Sequence, residues 1–306
     1  MAEIKSPLPK SEVSTRLLDP LEACASGDLA PNVALMRLMI DAQSPSEIDE
    51  LLKAIDGAGS LGSLKALWSQ TANAWETVKF VLDNVNHGSS RSDSRDPEYW
   101  ADRFDQLAEN APEAGIALYS LGSPILLELA TVSLVDRLQS WGLLHPSSVV
   151  LDLGCGMGRV CEALVPRVRA VVGIDVSRRM LALARRRCIN CRNVFFVQTS
   201  GRDLAAFADA SFDLVLAVDT FPYLVLSSSA SAATHLSEAR RVLKPGGSLV
   251  AFNYAYGVDD RTAAEMFCQH AKAAALEPVR LGTRDLAWWD GVTYHVRRAS
   301  RELTPL

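Results

Sequence analysis

The sequence predicts an α/β fold in which an all-helical segment precedes a seven-stranded, mostly parallel sheet with an antiparallel last strand. From residue 148 onwards, short runs rich in β-branched residues alternate with helical patterns, and strands that alternate with helices pair in parallel. The last two runs are joined by residues 282–291, which leave no room for a crossover helix, so these strands are expected to pair antiparallel. From Leu17 to Val85, apolar residues recur at helical spacing.

The spacing of apolar residues places the individual elements. Strands are predicted over residues 148–153, 170–175, 193–197, 212–218, 248–253, 279–281 and 292–296. Helices before the sheet are predicted over residues 47–55, 61–85, 98–109 and 124–141. In the helix over 61–85, apolar residues at three- and four-residue spacing form one stripe, which requires a partner surface.

Composition divides the chain into three parts. Residues 1–15 contain Pro7, Pro9 and several Ser and Lys residues and are expected to form a flexible tail. Residues 16–94 form an N-terminal helical segment, for which we consider a role as a lid, a docking surface or a dimer interface. Because the stretch before Pro97 is polar, rich in Ser and Arg and without periodicity, the boundary to the last domain, residues 95–306, is placed near Ser94.

Composition also restricts the class of protein. The 306 residues are 48% hydrophobic, which is enough for a packed core. No apolar run is long enough to cross a membrane and the N-terminus lacks the apolar stretch of a secretory signal, so a soluble, cytoplasmic protein is expected. The formal net charge of −5 disfavours nucleic acid as a partner and favours a small or neutral one. The six cysteines show neither a disulfide framework nor metal-site spacing, so we expect reduced thiols and no metal.

The most informative motif is the glycine-rich loop after the first strand. Residues 149–153 form a buried strand, Gly154-Cys-Gly-Met-Gly158 is a turn that glycine enters freely, and a helix begins at Arg159. This combination is typical of a nucleotide site, because the backbone approaches a ligand closely and amides at the helix start point toward it. A dinucleotide fingerprint is disfavoured because it requires glycine where Arg159 stands, and a P-loop because no Gly-Lys-Ser/Thr follows.

The pattern acid-x-G-x-G-x-G from Asp152 to Gly158 resembles the first motif of the class I S-adenosylmethionine-dependent methyltransferases. The resemblance extends over roughly residues 99–298. Its further motifs follow in order as Val171-Val-Gly-Ile-Asp175, Thr199-Ser-Gly-Arg-Asp-Leu204, Asp219-Thr-Phe-Pro-Tyr223 and residues 238–247. The resemblance therefore implies a Rossmann-like fold and S-adenosylmethionine as the cofactor.

The same motifs imply a set of cofactor-binding residues. Asp175 ends the second strand, where a carboxylate can accept hydrogen bonds from both hydroxyl groups of a ribose. The resemblance implies that the segment around Gly201 frames the adenine, although the chain has Ser200 where the family often has an acid. The expected cofactor contacts are Asp152, Gly154, Cys155, Gly156, Gly158, Asp175, Val176, Gly201, Arg202, Asp203 and Asp219.

The expected reaction is the in-line transfer of a methyl group to an O or N atom of a small molecule. The motif Asn/Asp-Pro-Pro-aromatic, typical of methylation at planar nitrogens, is incomplete in Asp219-Thr-Phe-Pro-Tyr223, which resembles the small-molecule branch instead. No residue is assigned as catalytic. Tyr119, Tyr223, Tyr254 and Tyr256 are candidates for the acceptor pocket, and His235 is expected on the surface.

Two other functions stay open on the sequence alone. One is a protein or RNA methyltransferase that docks its macromolecule on the N-terminal helical segment, and the other is a non-catalytic cofactor-binding module. The same helices are candidates for a homodimer interface. The arginines on the helix after Asp175 cover several of its faces, which is typical of a solvated helix rather than of an RNA-binding one.

Overall fold

The computed structural model describes residues 15–55, 57–71, 73–85 and 95–300, which divide into two compact units. The helical unit contains the described parts of residues 1–86, 111–133 and 286–290. The sheet unit contains the described parts of residues 87–110, 134–285 and 291–306. All of the predicted tail except Thr15 lies outside the described residues, as does the boundary near Ser94, so the predicted domain limits stay predictions.

Seven strands form a single sheet in the sheet unit. They are β1 (Val149–Leu153), β2 (Ala170–Asp175), β3 (Val194–Gln198), β4 (Phe212–Val218), β5 (Leu243–Phe252), β6 (Leu276–Arg284) and β7 (Val292–Arg298). Their order is β3-β2-β1-β4-β5-β7-β6. The first five strands pair in parallel, and β7 pairs antiparallel with β5 and with β6. The strand order reverses at β1, and open α/β sheets bind ligands at the carboxyl ends of strands around such a reversal.

Helices flank this sheet. They are α6 (Pro97–Asn110), α9 (Arg159–Leu164), α10 (Arg178–Arg187), α11 (Phe221–Ser227), α12 (Ser229–Val242) and α13 (Asp260–Ala273). Leu151, Val215 and Leu249, from three neighbouring parallel strands, are all fully buried, as expected for a parallel sheet covered on its faces. At the start of α10, the Ser177 side chain accepts a hydrogen bond from the Met180 amide at 3.0 Å, which caps the helix directly after β2.

The helical unit is built around one central helix. Its elements are α1 (Thr15–Ser26), α2 (Pro31–Asp41), α3 (Pro45–Ala54), α4 (Gly59–Gln70), α5 (Ala74–Asn84), α7 (Pro112–Ile116), a 3-10 helix (Leu118–Ser120) and the first residues of α8 (Pro124–Ser140). Helix α2 contacts the four other helices among α1 to α5. Leu35 and Leu38 on α2 are fully buried, so this helix provides the apolar centre of the unit.

The predicted fold class is confirmed, including the parallel sheet, its antiparallel end and the helical N-terminal segment. Strands β2 and β4 have the predicted bounds, whereas β5 begins at Leu243, five residues before its predicted start, because Leu243 pairs with Phe212 across an irregularity in register. None of the described helices is long and apolar enough to cross a membrane.

Two local predictions are wrong. The helix predicted over residues 61–85 is divided into α4 and α5, because the Thr71 hydroxyl donates to the Leu67 carbonyl at 2.8 Å and α4 ends at Gln70. His235 is not a surface residue, since it is 1% exposed and lies on the side of α12 that carries the buried Leu236. Its Nδ1 atom lies 2.9 Å from the Ser231 carbonyl oxygen, and burial lowers the pKa of the imidazole.

Candidate functional site

The glycine loop between β1 and α9 turns through backbone conformations that side chains rarely adopt. Gly154, Gly156 and Gly158 have φ angles of 72°, 52° and 76°. A Cβ atom on Gly154 would lie 2.7 Å from Thr220 Cγ2 and closer still to Thr220 Oγ1. The same hydroxyl donates to the Leu153 carbonyl at 2.7 Å. Gly154 is therefore required both by its φ angle and by the close approach of β4's end to the loop.

Asp175 lies at the carboxyl end of β2, in direct contact with this loop. Its Oδ2 atom accepts a hydrogen bond from the Gly156 amide at 2.8 Å, and its Oδ1 atom accepts one from the Ser177 amide at 2.8 Å. The side chain is half-buried, and burial raises the pKa of the carboxyl group to about 6 although the two amides favour its charged form. The predicted ribose carboxylate thus lies beside the predicted cofactor loop.

Asp152 is buried beneath the loop. It is 2% exposed, and its Oδ2 atom accepts a hydrogen bond from the Cys161 thiol at 3.1 Å. Burial raises the pKa of Asp152 to about 6, although the nearby Arg159 charge acts in the opposite direction. Burial also raises the pKa of the Cys155 thiol to about 11, so it is protonated at neutral pH.

The segment predicted to frame the adenine is a loop after β3. Gly201 has a φ of 70°, and a Cβ atom there would lie 2.5 Å from Val176 Cγ1, so this loop lies against the residue that follows Asp175. Arg202 is exposed, and its Nη2 atom donates to both carboxylate oxygens of Glu98, at 2.8 and 2.9 Å. The exposed Asp203 carboxylate accepts a hydrogen bond from the Ala205 amide at 3.1 Å. The Arg202 side chain is therefore paired with a residue of α6, and it is the backbone of this loop that faces Val176.

A polar cluster lies where β4 and β5 end. Asp219 and Asn253 directly follow these strands, and both have a φ of 59°, in the left-handed region that Asp and Asn tolerate. The Asp219 Oδ1 atom accepts hydrogen bonds from Asn253 Nδ2, at 2.9 Å, and from the Tyr256 hydroxyl. The structure thus brings together two predicted site residues, Asp219 and Tyr256, with one that the sequence did not indicate.

Aromatic rings surround the polar cluster. The Tyr223 ring lies edge to face with the rings of Trp100 at 4.9 Å, Phe104 at 5.1 Å and Tyr256 at 6.1 Å between centroids. Burial, followed by the negative charge of Asp219, raises the pKa of both the Tyr223 and the Tyr256 hydroxyl groups. Both phenols are therefore hydrogen-bond donors at neutral pH.

The two other predicted pocket tyrosines have different neighbours. Tyr254 is buried among the rings of Phe221 and Phe267, and its hydroxyl is hydrogen-bonded to His270 Nδ1 on α13. Tyr119 belongs to the helical unit, where its ring stacks on Trp289 at 5.0 Å. Neither tyrosine is among the residues that contact Asp219 in the cluster just described, and their predicted roles stay predictions.

Thr220, Asn253 and Trp100 are the site residues that sequence reasoning missed. Asn253 had a usable signal, because it is the last residue of the strand predicted over 248–253 and Asn tolerates the left-handed conformation in which a strand can end. Thr220 lies inside the motif from Asp219 to Tyr223, but its contact with Gly154, like that of Trp100 with Tyr223, joins residues that are far apart in the chain and has no local signal. Among the described residues, no group of three or more His, Cys, Asp or Glu side chains could hold a metal ion.

Comparison with known proteins identifies the central segment. Residues 151–251 match the family described as methyltransferase domain. Demethylmenaquinone methyltransferase from Tropheryma whipplei is 40% identical over 107 residues, which are 35% of this chain and 42% of that protein. Arsenite methyltransferase from Aquipseudomonas alcaligenes is 35% identical over 171 residues, which are 52% of this chain and 43% of that protein. The chain thus spans less than half the length of these relatives.

Solved structures show a similar fold. Phosphoethanolamine N-methyltransferase 1 from Haemonchus contortus, in complex with phosphoethanolamine and S-adenosylhomocysteine, has a TM-score of 0.52 and 16% identity, over 69% of this chain and 51% of that chain. The [4+2]-cyclase SpnF has a TM-score of 0.51 and 16% identity, over 67% of this chain and 97% of that chain. At this identity the likeness concerns the fold alone. The family match and the curated relatives go further: residues 151–251 match a methyltransferase domain, and the relatives that the chain matches are named as methyltransferases.

Proposed function

We propose that this protein transfers a methyl group from S-adenosylmethionine to an oxygen or nitrogen atom of a small-molecule acceptor. One observation carries the proposal: the Asp175 carboxylate lies at the carboxyl end of β2 and is hydrogen-bonded to the Gly156 amide of the loop after β1. Carboxylate and glycine loop thereby meet at the point of the sheet where the strand order reverses, which is where an open α/β sheet binds ligands.

The residues at this point fit the adenosine part of the cofactor. Burial raises the pKa of Asp175 to about 6 even with two amide donors, so further hydroxyl donors from a ribose would favour the charged carboxylate. We propose that the backbone of Gly201 and Arg202 and the side chain of Asp203 contact the adenine. When bound, S-adenosylmethionine supplies an electrophilic methyl group, and the chain holds the acceptor in line with it.

The remaining loop residues complete the proposed cofactor site. Val176 follows Asp175, and its side chain lies against Gly201, where it provides an apolar surface. Asp152 is hydrogen-bonded to Cys161 on α9 and so connects the two elements that flank the loop; we propose that its effect on the cofactor acts through the loop's position. Cys155 and Gly158 belong to the same turn, in which the Gly158 amide donates to the Cys155 carbonyl at 3.0 Å.

The names of the relatives support a small-molecule acceptor. Demethylmenaquinone and arsenite, which the two relatives' names specify, are both small molecules. In this chain, Tyr223 and Tyr256 offer hydroxyl donors and ring edges beside the end of β4, next to Thr220, which contacts the cofactor loop. We propose that these two tyrosines line the acceptor pocket.

Methyl-labelled S-adenosylmethionine tests the proposal directly. The purified protein is incubated with the labelled cofactor and an extract of its host, separated into small-molecule and macromolecule fractions. We expect label in a small-molecule product, with matching formation of S-adenosylhomocysteine. Label in protein or RNA alone would support docking of a macromolecule instead, and no transfer despite cofactor binding would support a non-catalytic module.

A further inference from the structure

Two adjacent residues at the end of β4 contact different neighbouring strands. Thr220 contacts the glycine loop after β1, through its hydrogen bond to the Leu153 carbonyl. Asp219 is hydrogen-bonded to Asn253 and Tyr256, which both follow β5. Because β1 and β5 are the two neighbours of β4 in the sheet, Thr220 connects the end of β4 to the β1 side and Asp219 connects it to the β5 side. The sequence predicts Asp219 as a cofactor contact, and its hydrogen-bond partners here are two residues that follow β5.

The position of Asp219 is determined by its neighbours. Asp219 and Asn253 both have a φ of 59°, a conformation that costs free energy and persists where surrounding contacts hold it. Asn253 is itself held by Val292 through two hydrogen bonds. Its backbone amide donates to the Val292 carbonyl at 2.8 Å, and its side-chain Oδ1 atom accepts from the Val292 amide at 2.9 Å. The Asp219 carboxylate is thus preorganised by a residue that β7 holds in place.

The side chains around Asp219 are hydrogen-bond donors, whereas Asp219 itself is a carboxylate and accepts. The Tyr223 and Tyr256 hydroxyl groups have raised pKa values because of burial and of the Asp219 charge, so both keep their protons at neutral pH. Asn253 does not titrate. Among these four side chains, the carboxylate is the group suited to receive a proton from a ligand.

We propose that the acceptor is a hydroxyl compound, a phenol or an enol, and that Asp219 receives its proton. The inference rests on the proposed methyl transfer. In the step, a bond forms between the acceptor oxygen and the methyl carbon as the bond between methyl carbon and sulfur breaks. The O–H proton passes to the Asp219 carboxylate and then to water, so charge and atoms balance. An amine would react by positioning alone, whereas a hydroxyl needs the base that this cluster provides.

The substitution Asp219→Asn tests this role with little change of shape. Asn tolerates the left-handed conformation as well as Asp does, so the backbone of the end of β4 should be retained. With labelled S-adenosylmethionine and the label-accepting fraction of the host extract, we expect kcat to fall by about 100-fold or more. Thermal unfolding and the affinity for S-adenosylhomocysteine should be unchanged. Asp209→Asn, which alters an exposed carboxylate paired with Arg241, is the matched control and should keep the wild-type kcat.

Two further measurements separate a proton acceptor from a merely structural residue. The wild-type kcat should rise with pH along an acidic limb, and this limb should be missing in Asp219→Asn, while Tyr256→Phe should keep it because the carboxylate remains. The labelled product should be a methyl ether, which hydriodic acid cleaves to volatile methyl iodide under conditions that leave N-methyl groups intact.

The outcomes distinguish this inference from the proposed function. A wild-type protein that transfers no label would overturn the proposed methyl transfer, and this inference with it. Transfer by the wild type with an acid-stable N- or C-methyl product would overturn the inference alone. A wild-type rate and acidic limb in Asp219→Asn would do the same, because the carboxylate would then have no part in the chemistry.

Discussion

Asp175 is the last residue of β2, and Asp152 is the last but one of the adjacent strand β1. Burial raises the pKa of both carboxyl groups. Their surroundings nevertheless differ. Asp175 is half-buried beside the loop and accepts two backbone amides, whereas Asp152 is 2% exposed and accepts the Cys161 thiol. We therefore expect Asp175 to act on the ligand directly and Asp152 to act on the loop.

Replacement of Asp175 should weaken cofactor binding. We expect Asp175→Ala to reduce the binding free energy of S-adenosylhomocysteine by about 1–3 kcal/mol, because it removes charge-assisted hydrogen bonds to the ribose. Isothermal titration calorimetry measures the change. The control Asp209→Ala removes an exposed carboxylate on Arg241 and should bind as the wild type does. An unaltered affinity in Asp175→Ala would refute the ribose assignment.

The buried charge of Asp152 should make stability depend on pH. Because its pKa is raised to about 6 in the folded chain, the folded state keeps this proton to a higher pH than the unfolded state does. The free energy of unfolding should therefore fall as the pH rises from about 4 to about 6 and remain lower above that range. Asp152→Asn, which can still accept the thiol hydrogen bond, should stabilise the ligand-free protein near neutral pH by up to about 3 kcal/mol.

Urea unfolding at about pH 4 and about pH 7 measures this effect. The difference in unfolding free energy between the two pH values should be smaller in Asp152→Asn than in the wild type. Equal differences in both proteins would show that the Asp152 carboxyl group titrates as it does in the unfolded chain.

At the scale of elements, the loop between β1 and α9 depends on its packing against the end of β4. Gly154→Ala adds a Cβ atom 2.7 Å from Thr220 Cγ2 at a φ of 72°. We expect a loss of about 2 kcal/mol or more in the free energy of unfolding, from backbone strain and from the displaced threonine, together with weaker cofactor binding. Chemical denaturation and calorimetry measure the two effects.

Two variants separate the strain from the clash. Gly142→Ala has a similar φ of 68° but meets nothing within 4 Å, so it should show the backbone strain alone and destabilise less. In Gly154→Ala, the second change Thr220→Ala should restore part of the lost stability by removing the clash. If the double variant were no more stable than the single one, the close approach of β4 would not be the reason for glycine at residue 154.

Local patterns were sufficient for some elements and not for others. The β-branched run of β2 ends at Asp175, where both the strand and the predicted carboxylate were found. Tyr254 and Tyr256 carry the same sequence signal, yet only Tyr256 joins Asp219. The reason is that β5 ends at Phe252, so the two tyrosines lie in irregular backbone, where the alternation of strand side chains no longer applies. Such positions depend on contacts between distant segments.

At the scale of the whole molecule, charge argues against a nucleic-acid partner. The formal net charge is −5, and two arginines of α10 are paired with carboxylates: Arg179 with Asp105 and Glu109, and Arg187 with Glu162. We expect no saturable binding of transfer RNA in a filter assay at about 0.15 M salt. Saturable binding that weakens steeply with added salt would contradict this expectation.

The position of bound cofactor tests the central claim most directly. A crystal structure of the protein with S-adenosylhomocysteine should show the ribose hydroxyl groups within hydrogen-bond distance of Asp175, and the ligand against the loop from Gly154 to Gly158. The adenine should lie beside the Gly201 loop, and the sulfur atom should be directed toward the end of β4. A ligand bound elsewhere, or one whose ribose makes no contact with Asp175, would contradict the assignment of this site.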